Sequence, residues 1–355
     1  MGHMFLTGLG TAVPAQRYLQ TEGWESVRTT LAFRQLQPRS QAILRKVLLG
    51  MNGVEARHLA LDSLAEAYEP TPDILHARFA RHAPDLASAA ARAALADARV
   101  DPAAIDAVIV TTCTGYLCPG LTSHLAERLG LRRDLHALDL VGLGCGAALP
   151  ALHTAETFLR ADRAQQVLVV SAEVCSAAFF LDDDPGVLIS ACLFGDGAAA
   201  AVVSRTPASH TRPLRWHAFN TRLDPTDREL LRFETRGGML RNVLTLKVPA
   251  IAARHAGEIF DELLTREKLT KADILQWILH SGGRDVLVAL QRRLGLTEHD
   301  LRHSAGVLRE HGNLSSPSVL FALAAARAEP TPPGWWWLSS FGAGFTCHGA
   351  LVEAG

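Results

Sequence analysis

Leu138-Asp139-Leu140-Val141-Gly142-Leu143-Gly144-Cys145-Gly146-Ala147-Ala148-Leu149-Pro150-Ala151-Leu152 reads as an apolar strand running into a cysteine between two glycines and then into a helix. The flanking glycines permit a sharp turn that presents the side chain, and Pro150 is tolerated in a helix's first turn. A helix N-terminus at this place contributes partial positive charge and free N–H groups. These predict a lowered thiol pKa and a donor for a developing oxyanion. An isolated Gly-Cys-Gly is otherwise a small buried cysteine, so its partners decide the reading.

Outward from this junction the chain repeats a pattern. Helix formers from about Pro84 to Asp97 are broken at Asp101-Pro102 and followed by the apolar run Ile105 to Val110. A helical stretch from about Ala252 to Glu267 is likewise followed, after a break, by Ile274 to Leu279. Matching the strand ends pairs Thr111 with His280, an offset of 169 positions, and the same offset carries Cys145 to within one place of Asn313. Asn313 lies in Gly312-Asn313-Leu314-Ser315-Ser316, where the two serines are expected to cap a helix from Leu320 to Arg327. The expectation is an α/β fold of two duplicated halves, residues 1–215 carrying the cysteine and 216–355 carrying the histidine and asparagine. An undivided α/β fold with short crossovers is the alternative.

Further strands follow the same logic. Gln166 to Ser171 is a buried-strand pattern, and Gly195-Asp196-Gly197-Ala198 reads as a turn feeding a strand to Val203, which suits a sheet covered by helices on both faces. Phe5 to Gly10 reads as a short strand into a glycine turn closed by Pro14, and no helix with a further glycine follows, so a dinucleotide loop is excluded. Trp335-Trp336-Trp337 alternates faces on a strand and points to sheet packing rather than to a stacking platform for bases.

The 355 residues, 48% hydrophobic and 20% charged, describe a globular body. A formal net charge of -1 gives no global pull toward nucleic acid or anionic membrane. No apolar run approaches the ~20 residues that span a bilayer, so membrane insertion is not expected. Met1-Gly2-His3-Met4 reads as a short appended start before a native Met4, with no charged-then-apolar leader after it. The six cysteines lack CxxC pairing and the density of a disulfide scaffold, which disfavours a zinc site, the alternative use of this many thiols, and fits a reducing cytoplasm.

His280 follows a buried strand and precedes Ser281-Gly282-Gly283, at the strand end where open α/β sheets place their sites. With Cys145 and Asn313 it forms a set with a clear chemical use. The imidazole keeps the thiol as thiolate, the thiolate takes an acyl group, and histidine and asparagine donate hydrogen bonds to a thioester carbonyl or to an enolate formed by decarboxylation. Papain-like proteolysis also uses these three residue types, but the surroundings and spacing of Cys145 do not suit it.

These motifs resemble those of the type III polyketide synthases, the chalcone and stilbene synthase family with its bacterial relatives, along nearly the whole chain. The resemblance is carried by Leu6 to Pro14, Thr112-Cys113-Thr114-Gly115-Tyr116-Leu117-Cys118-Pro119-Gly120, Gly144-Cys145, Leu193-Phe194-Gly195-Asp196-Gly197-Ala198, His280-Ser281-Gly282-Gly283, Gly312 to Ser316, and Phe341-Gly342-Ala343-Gly344. It implies a thiolase-like fold in layered αβαβα form and a homodimer. It also implies an acyl-CoA starter with malonyl-CoA as extender, and no cofactor beyond these thioesters. Cys145 would hold the growing chain, with His280 and Asn313 acting on malonyl-CoA. Phe194 would be the gatekeeper between coenzyme A tunnel and cavity, Ser315 would line the cyclisation cavity, the loop from Gly342 to Gly344 would shape its floor, and Cys118 would reach toward the partner subunit. Arg45 or Lys46 would meet coenzyme A phosphates.

The sequence also departs from the family. Asn242 falls near a second gatekeeper phenylalanine and Ala178 near a cavity threonine, while Ala343 replaces the usual proline. Smaller or more polar walls predict a roomier, reshaped cavity that admits a fatty acyl starter. The competing readings are a ketoacyl synthase III-like enzyme making one condensation, with an acyl carrier protein as the lesser alternative donor, and an inactive thiolase-fold partner subunit.

Overall fold

The computed structural model describes residues 3–68, 70–210 and 212–355; the appended start read at Met1 and Gly2 lies outside them. Nine strands form one mixed sheet: β1 (Met4–Ala12), β2 (Ala107–Thr111), β3 (His136–Leu140), β4 (Gln166–Glu173), β5 (Gly197–Ser204), β6 (Leu214–Leu223), β7 (Ile274–Leu279), β8 (Gly334–Gly342) and β9 (Thr346–Ala354). The main helices are α1 (Pro38–Leu49), α2 (Pro72–Ala98), α3 (Ala148–Arg160), α4 (Pro185–Leu193), α5 (Val248–Glu267), α6 (Arg284–Leu294), α7 (Arg302–His311) and α8 (Ser318–Ala328).

The sheet order is β7-β8-β9-β6-β1-β5-β4-β2-β3, with β1 and β6 antiparallel at its centre. Read outward from that pair, each side runs first strand, last strand, last but one, second.

Alternate residues of the buried strands feed different cores, as period-two geometry requires. Ala107 and Ile109 pack against α3 and α8, whereas Val108 and Val110 pack against α2. On the other side Ile278, Trp336 and Leu338 join the α3–α8 core, while Trp277 and Trp337 face α5 and α6. The result is five layers: outer helices, one half of the sheet, the α3–α8 pair, the other half of the sheet, outer helices. The tryptophan run thus packs within the sheet as the alternation predicts.

Three local expectations change. Gly8-x-Gly10 is no turn, because β1 continues to Ala12. A Cβ on either glycine would be driven into the backbone of α2 at Ala94 or Ala90, so the glycines let helix and strand approach closely. Helix α2 begins at Pro72 rather than near Pro84. Thr71 caps it, its hydroxyl accepting the Ile74 N–H at 3.2 Å, and Pro84 lies inside. Ser315 and Ser316 do not cap α8, whose first residue is Ser318; their hydroxyls turn inward.

Among the described residues no helix is long and apolar enough to cross a membrane.

Candidate active site

Cys145 occupies a single 3-10 turn, Gly144–Gly146, between β3 and α3. Gly144 has φ of +57°, which the αL region allows most readily to glycine. The end of β8 lies against this turn backbone to backbone. A Cβ on Gly342 would run into Leu143 O and Gly146 N, and the Ser340 hydroxyl donates to Gly146 O at 3.0 Å. The sulfur is therefore held from behind by a strand of the other half of the sheet. Cys145 is only 7% exposed, and burial pushes its thiol up to about 12. The lowering expected from the helix end does not prevail, because desolvating an isolated thiolate costs more than the helix amides return.

His280 stands immediately beyond β7, its N–H donating to Ser339 O at 2.8 Å and its ring edge-on to Phe341 at 5.0 Å. It is almost wholly buried, neither ring nitrogen has a partner among the described residues, and desolvation pulls its pKa down to about 3. It is a neutral imidazole with one free N–H and one free lone pair.

Asn313 is placed by its backbone. Its N–H donates to Leu193 O at 2.8 Å, its carbonyl accepts from Gly195 N at 3.0 Å, and it bridges to Phe194. Its Oδ1 accepts from Ser315 N at 2.8 Å and its Nδ2 donates to Gly282 O at 3.3 Å, which fixes the amide's orientation and leaves one Nδ2 hydrogen over.

Cys145, His280 and Asn313 open on one cavity of about 650 Å³, which Phe194 and Phe341 also line. Its mouth carries Lys46 and Arg284 together with the exposed Met51 and Leu246. Lys46, not Arg45, is the cation that faces the cavity. Beyond Phe194 lies a chamber of only about 20 Å³ walled by Ala178, Asn242, Phe179, Phe180 and Phe233. The small residues noted in the sequence do not enlarge it, because the three phenylalanines fill the space they release.

Ser315 is wholly buried at φ +60° and within 3.3 Å of the Cys145 sulfur. Gly342 backs the nucleophile turn, Gly344 turns at φ +127°, and Cys118 is exposed, away from the cavity lining.

One residue escapes the sequence reading. Glu173, the last residue of β4, is completely buried and accepts from Cys113 N at 3.0 Å, Thr114 Oγ1 at 2.8 Å and Ser316 Oγ at 2.6 Å; Ser315 Oγ lies 3.3 Å away. Burial raises its pKa, and the hydrogen bonds only partly offset this. Because Ser315 touches both Cys145 and Glu173, a thiol S–H can donate to the serine oxygen while the serine O–H donates to the carboxylate. A lone acid closing the apolar run Val167 to Ala172 was the signal in the sequence.

Comparison with known proteins places the chain in a family. Residues 34–216 match the family described as FAE1/Type III polyketide synthase-like protein, and residues 225–354 match the C-terminal domain of chalcone and stilbene synthases. The chain is similar to a 3,5-dihydroxyphenylacetyl-CoA synthase of Streptomyces toyocaensis, 32% identical over 98% of this chain and 89% of that protein. It is similar also to a 1,3,6,8-tetrahydroxynaphthalene synthase of Streptomyces peucetius subsp. caesius, 33% identical over 97% and 91%. The crystal structure of 1,3,6,8-tetrahydroxynaphthalene synthase from Streptomyces coelicolor A3(2) superposes with a TM-score of 0.89 at 27% identity, covering 99% of each chain.

Proposed function

The chain belongs to the type III polyketide synthases, the chalcone and stilbene synthase family, and from that premise we propose that it loads an acyl-CoA starter on Cys145, extends it with malonyl-CoA and releases a cyclised pyrone, resorcinol or related product. As a polyketide synthase it is an acyltransferase. The observation that most supports the finer reading is that Cys145, His280 and Asn313, from three separate segments, open on one cavity with unpaired polar atoms on the histidine.

In loading, the Cys145 proton passes to His280 as the sulfur attacks the thioester carbonyl. The oxyanion collapses, and coenzyme A leaves as a thiol, taking that proton. Burial opposes the thiolate and the imidazolium taken singly, but one proton transfer creates both together, each the other's counter-ion. In extension, malonyl-CoA loses carbon dioxide and the released electron pair becomes an enolate. The enolate oxygen accepts from the spare Asn313 Nδ2 hydrogen and from the neutral imidazole N–H. The enolate carbon then attacks the Cys145 thioester, returning the thiolate and leaving a chain two carbons longer on coenzyme A. A neutral histidine suits this step, because it can donate without first being charged.

Lys46 and Arg284 at the mouth would meet the phosphates of coenzyme A, and no further cofactor is used. The two halves, 1–215 and 216–355, would each supply one side of the site. The sheet's free edge at β3, with exposed Val141 beyond it and Tyr116 and Cys118 exposed nearby in sequence, would be the homodimer face of a cytoplasmic enzyme. A ketoacyl synthase III-like reading draws support from the exposed Arg45, Lys46 and Lys247 beside Met51 and Leu246, a rim suited to an acidic carrier protein.

Purified protein with carbon-14 malonyl-CoA and a panel of acyl-CoA starters tests the proposal. Multi-ketide products that depend on starter and vanish in Cys145→Ala support it. Single condensations, or turnover only with a carrier protein, favour the second reading.

A further inference from the structure

Asn242 stands where the family's second gatekeeper was sought, and it lines both the large cavity and the chamber behind Phe194. It is only 6% exposed, yet its Oδ1 has no hydrogen-bond partner among the described residues. The amide could in principle present either end to the cavity, and the hydrogen-bond inventory decides which. Ser190 Oγ donates its single proton to Gly186 O at 2.7 Å. It can therefore only accept from the amide, and Asn242 Nδ2 donates to it at 3.0 Å. The oxygen is therefore the end of the amide left unpaired, on a side chain that lines both spaces. Thr245, three residues on and also lining the large cavity, carries a buried hydroxyl without a partner among the described residues.

A buried acceptor left unpaired costs free energy that a ligand donor recovers, so such a wall discriminates against chains that cannot donate. A plain alkyl chain leaves Asn242 Oδ1 unpaired; a hydroxyl satisfies it. The first donor beyond the thioester that a ketide chain carries is on its third carbon. It is present as a hydroxyl on a 3-hydroxyacyl starter, or as the enol of the β-keto thioester after one extension. Resting on the synthase reading above, we propose that Asn242, anchored by Ser190, is the acceptor of an acyl subsite selective for chains with a third-carbon hydroxyl or enol. It is a specificity residue, and Ser190 is its positioning residue.

The test compares kcat/KM for 3-hydroxyoctanoyl-CoA and octanoyl-CoA, with malonyl-CoA as extender, in the wild type, Asn242→Leu and Ser190→Ala. The expected result is a preference of about tenfold or more for the hydroxylated starter in the wild type. Asn242→Leu brings the ratio to near one, and Ser190→Ala, which frees the amide to turn, gives an intermediate ratio. Parity in the wild type overturns the proposal, as does a preference that survives Asn242→Leu. A uniform rise in KM for every thioester, malonyl-CoA included, with the ratio unchanged also overturns it, since that is the signature of contact with the pantetheine arm. If Asn242→Leu fails to fold, the wild-type ratio and Ser190→Ala still decide. Turnover of neither starter by the wild type overturns the subsite, and only silence across the whole panel of acyl-CoA starters removes the synthase reading itself, whereas parity removes only the subsite.

Discussion

At the scale of single residues the site depends on which charges its burial permits. Cys145 with a pKa near about 12 and His280 near about 3 are thiol and neutral imidazole when considered separately. Reactivity at neutral pH then requires the proton to move between them. Alkylation of Cys145 by iodoacetamide at pH 7 is expected to slow at least about tenfold in His280→Ala, with a rate that keeps climbing as pH rises. Equal rates in the two proteins would exclude the pairing. Glu173 gives a second prediction. Glu173→Leu strips the acceptor from the Cys113 N–H and from the Thr114 and Ser316 hydroxyls, and should cost about 3 kcal/mol in urea unfolding, whereas Glu173→Gln, which keeps one acceptor, should cost less. The sequence made Cys145, His280 and Asn313 legible because each stands within two residues of a glycine at the end of an element. Glu173 was not legible, since its donors come from two distant segments that only the fold unites. Nor was the role of Asn242, which depends on where the single proton of Ser190 goes.

At the scale of elements, the contact between the end of β8 and the nucleophile turn has almost no tolerance. Gly342→Ala must push Leu143 O and Gly146 N away, shifting Cys145 relative to His280 and Asn313. A displacement near 1 Å in a catalytic group commonly costs about 100-fold, so kcat should fall by about that factor while circular dichroism shows the secondary structure intact. Wild-type turnover in this variant would mean that the turn is not held by β8. Strands and helices were readable from periodicity, as Ile274 to Leu279 and the tryptophan run demonstrate. Boundaries were less so. Pro84 looked like a helix start because proline favours first turns, but the capped Thr71-Pro72 lies upstream and α2 carries the proline internally. Gly8 and Gly10 looked like a turn because the helix that needs their missing side chains lies some eighty residues further on.

At the scale of the whole molecule, light scattering on the purified protein should give twice the chain mass of 38.2 kDa, and a charge on the free sheet edge, Val141→Glu, should shift it toward one chain. A monomeric wild type would refute the edge as a dimer face. Stability should also depend on buried imidazoles. His348 is 3% exposed, its Nε2 has no partner among the described residues, and burial pulls its pKa down to about 4. Since the folded value lies below the unfolded one, its contribution is intact above about pH 6.5 and is lost as pH falls toward the folded value. The stability gap between wild type and His348→Leu should therefore narrow by about 2 kcal/mol between pH 6.5 and 5, read by urea titration at each pH. The repeated helix-turn-strand pattern pointed to two α/β halves and the family resemblance to their five layers, but the antiparallel seam of β1 with β6 was not legible, because nothing local encodes which strands become central. That seam bears on biogenesis. The earliest strand to leave the ribosome is a middle strand of the finished sheet, and its neighbours β5 and β6 begin only at Gly197 and Leu214. At ordinary elongation rates the nascent chain must carry β1 with both edges open for about 10 to 40 s, which makes this segment a natural client for chaperones.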